Sequence, residues 1–84
     1  MTKSDLQELF KDNEQNEGKK VSAVDIVNIS KFAFVSLQMD GKTLDYYYEV
    51  SIDELVESEM PDEEYIAMKE QGWVLNNNTL IKYI

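Results

Sequence analysis

Seven carboxylates fall between residues 53 and 64 of this 84-residue chain: Asp53, Glu54, Glu57, Glu59, Asp62, Glu63 and Glu64. Groups of this kind can exchange protons as an acid–base pair, collect a hard cation through oxygen ligands, or offer a negative surface to a positive partner. The rest of the chain narrows that choice. It contains no histidine, cysteine or arginine. A nucleophile–histidine pair, a cysteine nucleophile and a structural zinc site are therefore out of reach. Glycines at 18, 41 and 72 make no phosphate-cradling loop. A carboxylate pair could still cleave a glycosidic bond, but that needs a cleft with two walls, which a single core of 84 residues rarely supplies. The expectation is a non-enzyme with no cofactor.

Metal binding fares little better. Consecutive acids on a helix point about 100° apart, so Asp62, Glu63 and Glu64 diverge. The segment Asp40-Gly41-Lys42-Thr43-Leu44-Asp45 lacks the alternating acids of a calcium loop. No metal site is expected.

Surface charge remains. The chain carries −9, and residues 51–70 hold −7 of it. Helical neighbours at i+3 and i+4 lie about 5–6 Å apart, comparable to successive phosphates along one nucleic-acid strand. An acidic surface of two short segments can present charge where a nucleic-acid-binding protein expects phosphate. A solvated helix face, with acids complementing the dipole at two N-termini, accounts for the same residues without any partner. The net charge disfavours direct contact with nucleic acid or an anionic membrane and favours a basic protein.

Size and composition set the frame. One domain over 1–84 is expected, with a stability of about 4–12 kcal/mol at 0.05–0.15 kcal/mol per residue. The longest apolar run, Phe32-Ala33-Phe34-Val35, is far short of the ~20 residues of a membrane helix. Absence of cysteine and of a signal-like N-terminal run predicts a cytoplasmic setting.

The elements that must carry the acids follow from pattern. Ser4-Asp5-Leu6-Gln7 has the form of a capping box and predicts a helix over 5–14, followed by a loop over 13–20. Alternation from Val21 to Met39 predicts β structure, although Ser22-Ala23-Val24-Asp25 can also cap a helical turn. Asp40-Gly41 predicts a two-residue type I′ hairpin turn, with a second strand over 43–50. That turn sets Leu37 opposite Leu44, Val35 opposite Tyr46 and Ala33 opposite Tyr48 on a core face. Phe34 then faces Tyr47 on the other side, with Phe32 beside Glu49.

Ser51-Ile52-Asp53-Glu54 caps a helix that Pro61 breaks. Asp62-Glu63-Glu64 opens a second, Gly72 ends it, and a final hairpin turns at Asn76-Asn77-Asn78. The expected fold is α+β: an N-terminal helix, a β-hairpin, two short acidic helices and a C-terminal β-hairpin, in one antiparallel sheet with helices packed on it.

Two surfaces stand out. The acids of 53–64 form one, directed at a basic or nucleic-acid-binding protein. The aromatic hairpin face Phe32, Phe34 and Tyr47 forms the other. Either Leu6, Leu9 and Phe10 cover it, or it is exposed and supports a homodimer. Length and acidity resemble those of small inhibitor proteins that phages and mobile elements direct against host nucleic-acid enzymes, a likeness of composition that covers no motif.

Overall fold

Thr2 starts the first helix, α1 (Lys3–Phe10), in the computed structural model, which describes residues 1–14 and 20–84. Its Oγ1 accepts the Asp5 N–H at 3.1 Å while the Asp5 carboxylate accepts the Thr2 N–H at 2.9 Å. The expected box on Ser4 and Gln7 therefore sits two residues too late, and the helix ends at Phe10 rather than 14. A carboxylate at the third helical position makes a charge-assisted bond and meets the positive helix end, two advantages glutamine lacks. The centre of the expected 13–20 loop, Gly18 included, lies outside the described residues.

A second helix, α2 (Ala23–Ser30), replaces the expected strand. Ser22 and Asp25 form another reciprocal capping box, with bonds of 3.2 and 2.9 Å. The apolar residues from Val24 to Ile29 fit both periods, and the cap decides between them. Ile29 is buried and Ile26 half-buried, whereas Val24 and Val27 point to solvent.

The sheet contains β1 (Val35–Met39), β2 (Tyr46–Ser51), β3 (Val74–Asn76) and β4 (Thr79–Tyr83), all antiparallel, in the order β1-β2-β4-β3. Val35 pairs with Val50, Leu37 with Tyr48 and Met39 with Tyr46. Each partner is four residues further on than a two-residue turn would place it, so the Asp40-Gly41 turn is corrected to a longer loop. Asp40 N–H bonds the Asp45 carbonyl at 2.8 Å, and Leu44 N–H bonds the Asp40 carbonyl at 2.8 Å. Leu44, not Gly41, takes the left-handed conformation (φ 63°). The Asp40 carboxylate organises the loop by accepting the Lys42 N–H at 2.8 Å, a local bond that competes with the tight turn. A shift of four preserves side-chain parity, so the strands keep their expected faces while every partner changes.

The helices α3 (Ile52–Glu57) and α4 (Asp62–Glu70) follow the expected signals. Ser51 caps α3, accepting the Glu54 N–H at 3.4 Å. Both helices end in the same motif: Met60 N–H reaches Leu55 O (3.2 Å) and Glu59 N–H reaches Val56 O (3.1 Å), as Trp73 N–H reaches Met68 O (3.2 Å) and Gly72 N–H reaches Lys69 O (3.1 Å). The left-handed position is Gly72 (φ 86°) in α4 but Glu59 (φ 54°) in α3. Asn77, also left-handed, turns β3 into β4.

One cluster unites Leu6 and Phe10 of α1, Ile29 of α2, Ile52 and Leu55 of α3, and Tyr65 and Met68 of α4 with Val50, Leu80 and Trp73. All four described helices therefore lie on one face of the sheet, the face of Val50 and Leu80. Trp73 is fully buried, and its Nε1–H donates to Gln71 Oε1 at 3.0 Å.

Candidate protein-interaction surfaces

The acids are placed by helix ends. Asp53 and Glu54 stand in the first turn of α3, and Asp62, Glu63 and Glu64 in the first turn of α4. Glu57 closes α3, and Glu59 occupies the left-handed residue between the helices. Six of the seven are exposed and Glu64 is half-buried.

Their bonding divides them. Asp53 accepts a hydrogen bond from Asn78 Nδ2 and pairs with Lys3 Nζ at 3.3 Å. The Asn78 bond first, and Lys3 second, hold its carboxyl below the usual aspartate range. Asp53 thus ties α1 and the β3–β4 turn to α3. Asp62 accepts from the Met1 ammonium at 3.3 Å. Glu54, Glu57, Glu59, Glu63 and Glu64 have no ion-pair partner among the described residues. No group of three or more carboxylates is placed to hold a metal ion among those residues. Attraction for a positive surface is what this rim can supply. In α4, Tyr65 is buried with its hydroxyl unbonded among the described residues, and burial, then the charge of Asp62, raises its pKa.

Phe32, Phe34 and Tyr47 do not form one face. Phe32 and Phe34 precede β1, so neither pairs with β2 in the sheet. Phe32 packs against the core, and its carbonyl accepts the Ser58 hydroxyl at 2.6 Å. Phe34 is 75% exposed. Tyr47 lies opposite Gln38 and Tyr83 on the sheet face away from the helices, with its ring 5.3 Å from that of Tyr83. Tyr83 in turn donates to Asp40 Oδ2 at 3.2 Å. Leu6 and Phe10 enter the core on the opposite face, so α1 does not cover Tyr47.

A surface missed in the sequence lies on the helix side of the sheet. Val35 and Val50 are tucked beneath the helices, but Leu37 is 57% and Met39 52% exposed. Tyr46, Leu44 and Ile84 are also exposed. Helix α3 at 1.5 Å per residue spans about 9 Å, whereas a five-residue strand runs about 17 Å. Short helices therefore leave the hairpin end of the sheet bare. The outward pair Val24 and Val27 on α2 is a second exposed apolar spot. The available signals were the charge-free run 32–39 and a helix with apolar residues on every side.

Comparisons of the chain with protein-family models, with curated proteins and with solved structures find no match in any of the three. No described helix is long and apolar enough to cross a membrane.

Proposed function

We propose that this chain is a non-catalytic protein–protein interaction module that offers the acidic rim of α3 and α4 to a basic surface on another protein. The observation carrying this reading is the set Glu54, Glu57, Glu59, Glu63 and Glu64, close together in the chain, exposed or half-exposed, and without ion-pair partners among the described residues. Holding like charges together in one small region costs self-repulsion, which a positive partner removes. A basic groove of a nucleic-acid-binding protein has the required sign and is shaped for regularly spaced negative groups. The module then acts as a modulator or inhibitor by occupying that groove, in the manner of a small phage or mobile-element protein in the cytoplasm. It needs no cofactor and does not itself bind nucleic acid.

Affinity capture from lysate tests the reading, run at low salt, at high salt and with added double-stranded DNA. Recovery of a nucleic-acid-binding protein that salt and DNA both release is the expected result. A partner retained unchanged in high salt and excess DNA would be held by other forces and would refute it.

A further inference from the structure

Strand β1 is an outer strand of the sheet. Asp40 N–H bonds Asp45 O across the hairpin. Stepping back two residues at a time in the register, Gln38–Tyr47 and Ser36–Glu49 are the hydrogen-bonded pairs. The backbone groups of Val35, Leu37 and Met39 therefore point away from β2. The bond from Ile84 N–H to Tyr46 O (3.0 Å) fixes the same phase independently, because it turns the backbone of Tyr46, Tyr48 and Val50 toward β4. No backbone bond from another described segment reaches Val35, Leu37 or Met39. Natural edge strands are commonly guarded by lysine, proline or a bulge. The sequence Val-Ser-Leu-Gln-Met of β1 has no such residue, and its Leu37 and Met39 side chains are exposed.

We propose that β1 pairs antiparallel with β1 of a second copy of this chain, about a two-fold axis at Leu37, to form a continuous eight-stranded sheet. The outward residues 35, 37 and 39 are symmetric about Leu37, so one isologous pairing satisfies all of them on both chains. Leu37 then stands opposite Leu37 of the second copy, and Val35 opposite its Met39. The seam itself sets no like charges against each other. Residues 32–39 are uncharged in a chain of −9, with Lys31 before them and Asp40 after them. In the register centred on Leu37, Asp40 lies opposite Phe34 of the second copy, and Lys31, the C-cap of α2, lies outside the paired strand. The exposed rows of Leu37 and Met39 also meet across the axis. Five paired residues with their flanking side chains make a small interface beside the roughly 800 Å² per partner of a standard one, so association depends on concentration. This pairing does not rest on the acidic rim, and different variants test the two.

Sedimentation equilibrium of the full chain up to millimolar concentration is the test, together with amide hydrogen exchange at both ends of that range. The mass is expected to rise to twice the 9.8 kDa of the chain, with the Val35, Leu37 and Met39 amides slowing about tenfold or more as it does. Leu37→Lys, at an exposed position, should remain folded by circular dichroism and stay monomeric. Val27→Lys, on the outer side of α2, should still dimerise. The chain has no cysteine, so Leu37→Cys should oxidise to a covalent dimer, the two Cα atoms lying about 5.5 Å apart across a hydrogen-bonded pair, whereas Val27→Cys should not. A wild-type monomer at every concentration overturns the proposal, as does a dimer indifferent to Leu37→Lys. Protection of the β1 amides only when a basic protein is added also overturns it, and assigns the edge to a foreign strand.

Discussion

Replacing Glu59 by glycine should stabilise the protein even though it removes a side chain. Glu59 is the left-handed residue (φ 54°) that ends α3, and the bonds around it, Met60 N–H to Leu55 O and Glu59 N–H to Val56 O, use backbone alone. A residue with a Cβ pays about 1–2 kcal/mol to hold that conformation. Glycine avoids this but loses more chain freedom on folding, about 0.5–1 kcal/mol. The net gain is about 0.5–1 kcal/mol. At about 2.1 cal/mol/K per residue the unfolding entropy of this chain is about 0.18 kcal/mol/K, which converts the gain to a rise of about 3–6 °C in Tm. Thermal melts followed by Trp73 fluorescence and circular dichroism would measure it. Glu59→Gln is the needed control, because it removes the same charge and keeps the strained backbone; it should shift stability by less than about 0.5 kcal/mol. A glycine variant no more stable than the glutamine variant would refute the argument from backbone conformation.

Gly41→Ala should be close to neutral or stabilising by up to about 1 kcal/mol, since Gly41 is not left-handed and nothing lies within 4 Å of an added Cβ; a loss above that in urea melts would point back to a tight turn. Leu55→Ala, at a fully buried position joining α3 to the core, should cost about 2–5 kcal/mol, and a smaller loss would mean that the helix is loosely packed. Asp53→Ala tests the lowered carboxyl. Its stabilising contribution is present in full above the ordinary aspartate value of about 3.9 and is lost as pH falls through the lower folded value. The stability gap between variant and wild type should therefore be steady near neutrality and close on strong acidification; a gap that persists in acid would contradict the sign.

Much of the fold was legible because certain residues admit one reading. Pro61 and Gly72 punctuate the acidic helices, Ser51 caps α3, and the Asn-rich turn closes the last hairpin. Helix α2 was harder, since its apolar residues satisfy a period of two as well as 3.6, and only the Ser22–Asp25 box separates them. Asp40-Gly41 misled for a related reason: the dipeptide suits a type I′ turn, but in the observed longer loop the Asp40 side chain accepts the Lys42 N–H and the Tyr83 hydroxyl.

The acids were visible as a group. Their division into structural Asp53 and glutamates without an ion pair among the described residues was not, because Lys3 and Asn78 are distant in sequence. The bare end of the sheet was hidden for another reason. Parity assigns Leu37 and Tyr46 to the core side, but only helix length and placement decide how far the core extends.

The most direct test of the acidic rim is parallel affinity capture with wild type and a variant carrying Glu54→Lys, Glu57→Lys, Glu63→Lys and Glu64→Lys, quantified by mass spectrometry at low salt. Asp53 stays in place because it bonds Lys3 and Asn78, and circular dichroism establishes that the variant folds. Loss of a basic partner that the wild type recovers is the predicted result; the same partner recovered equally by both baits would contradict the account.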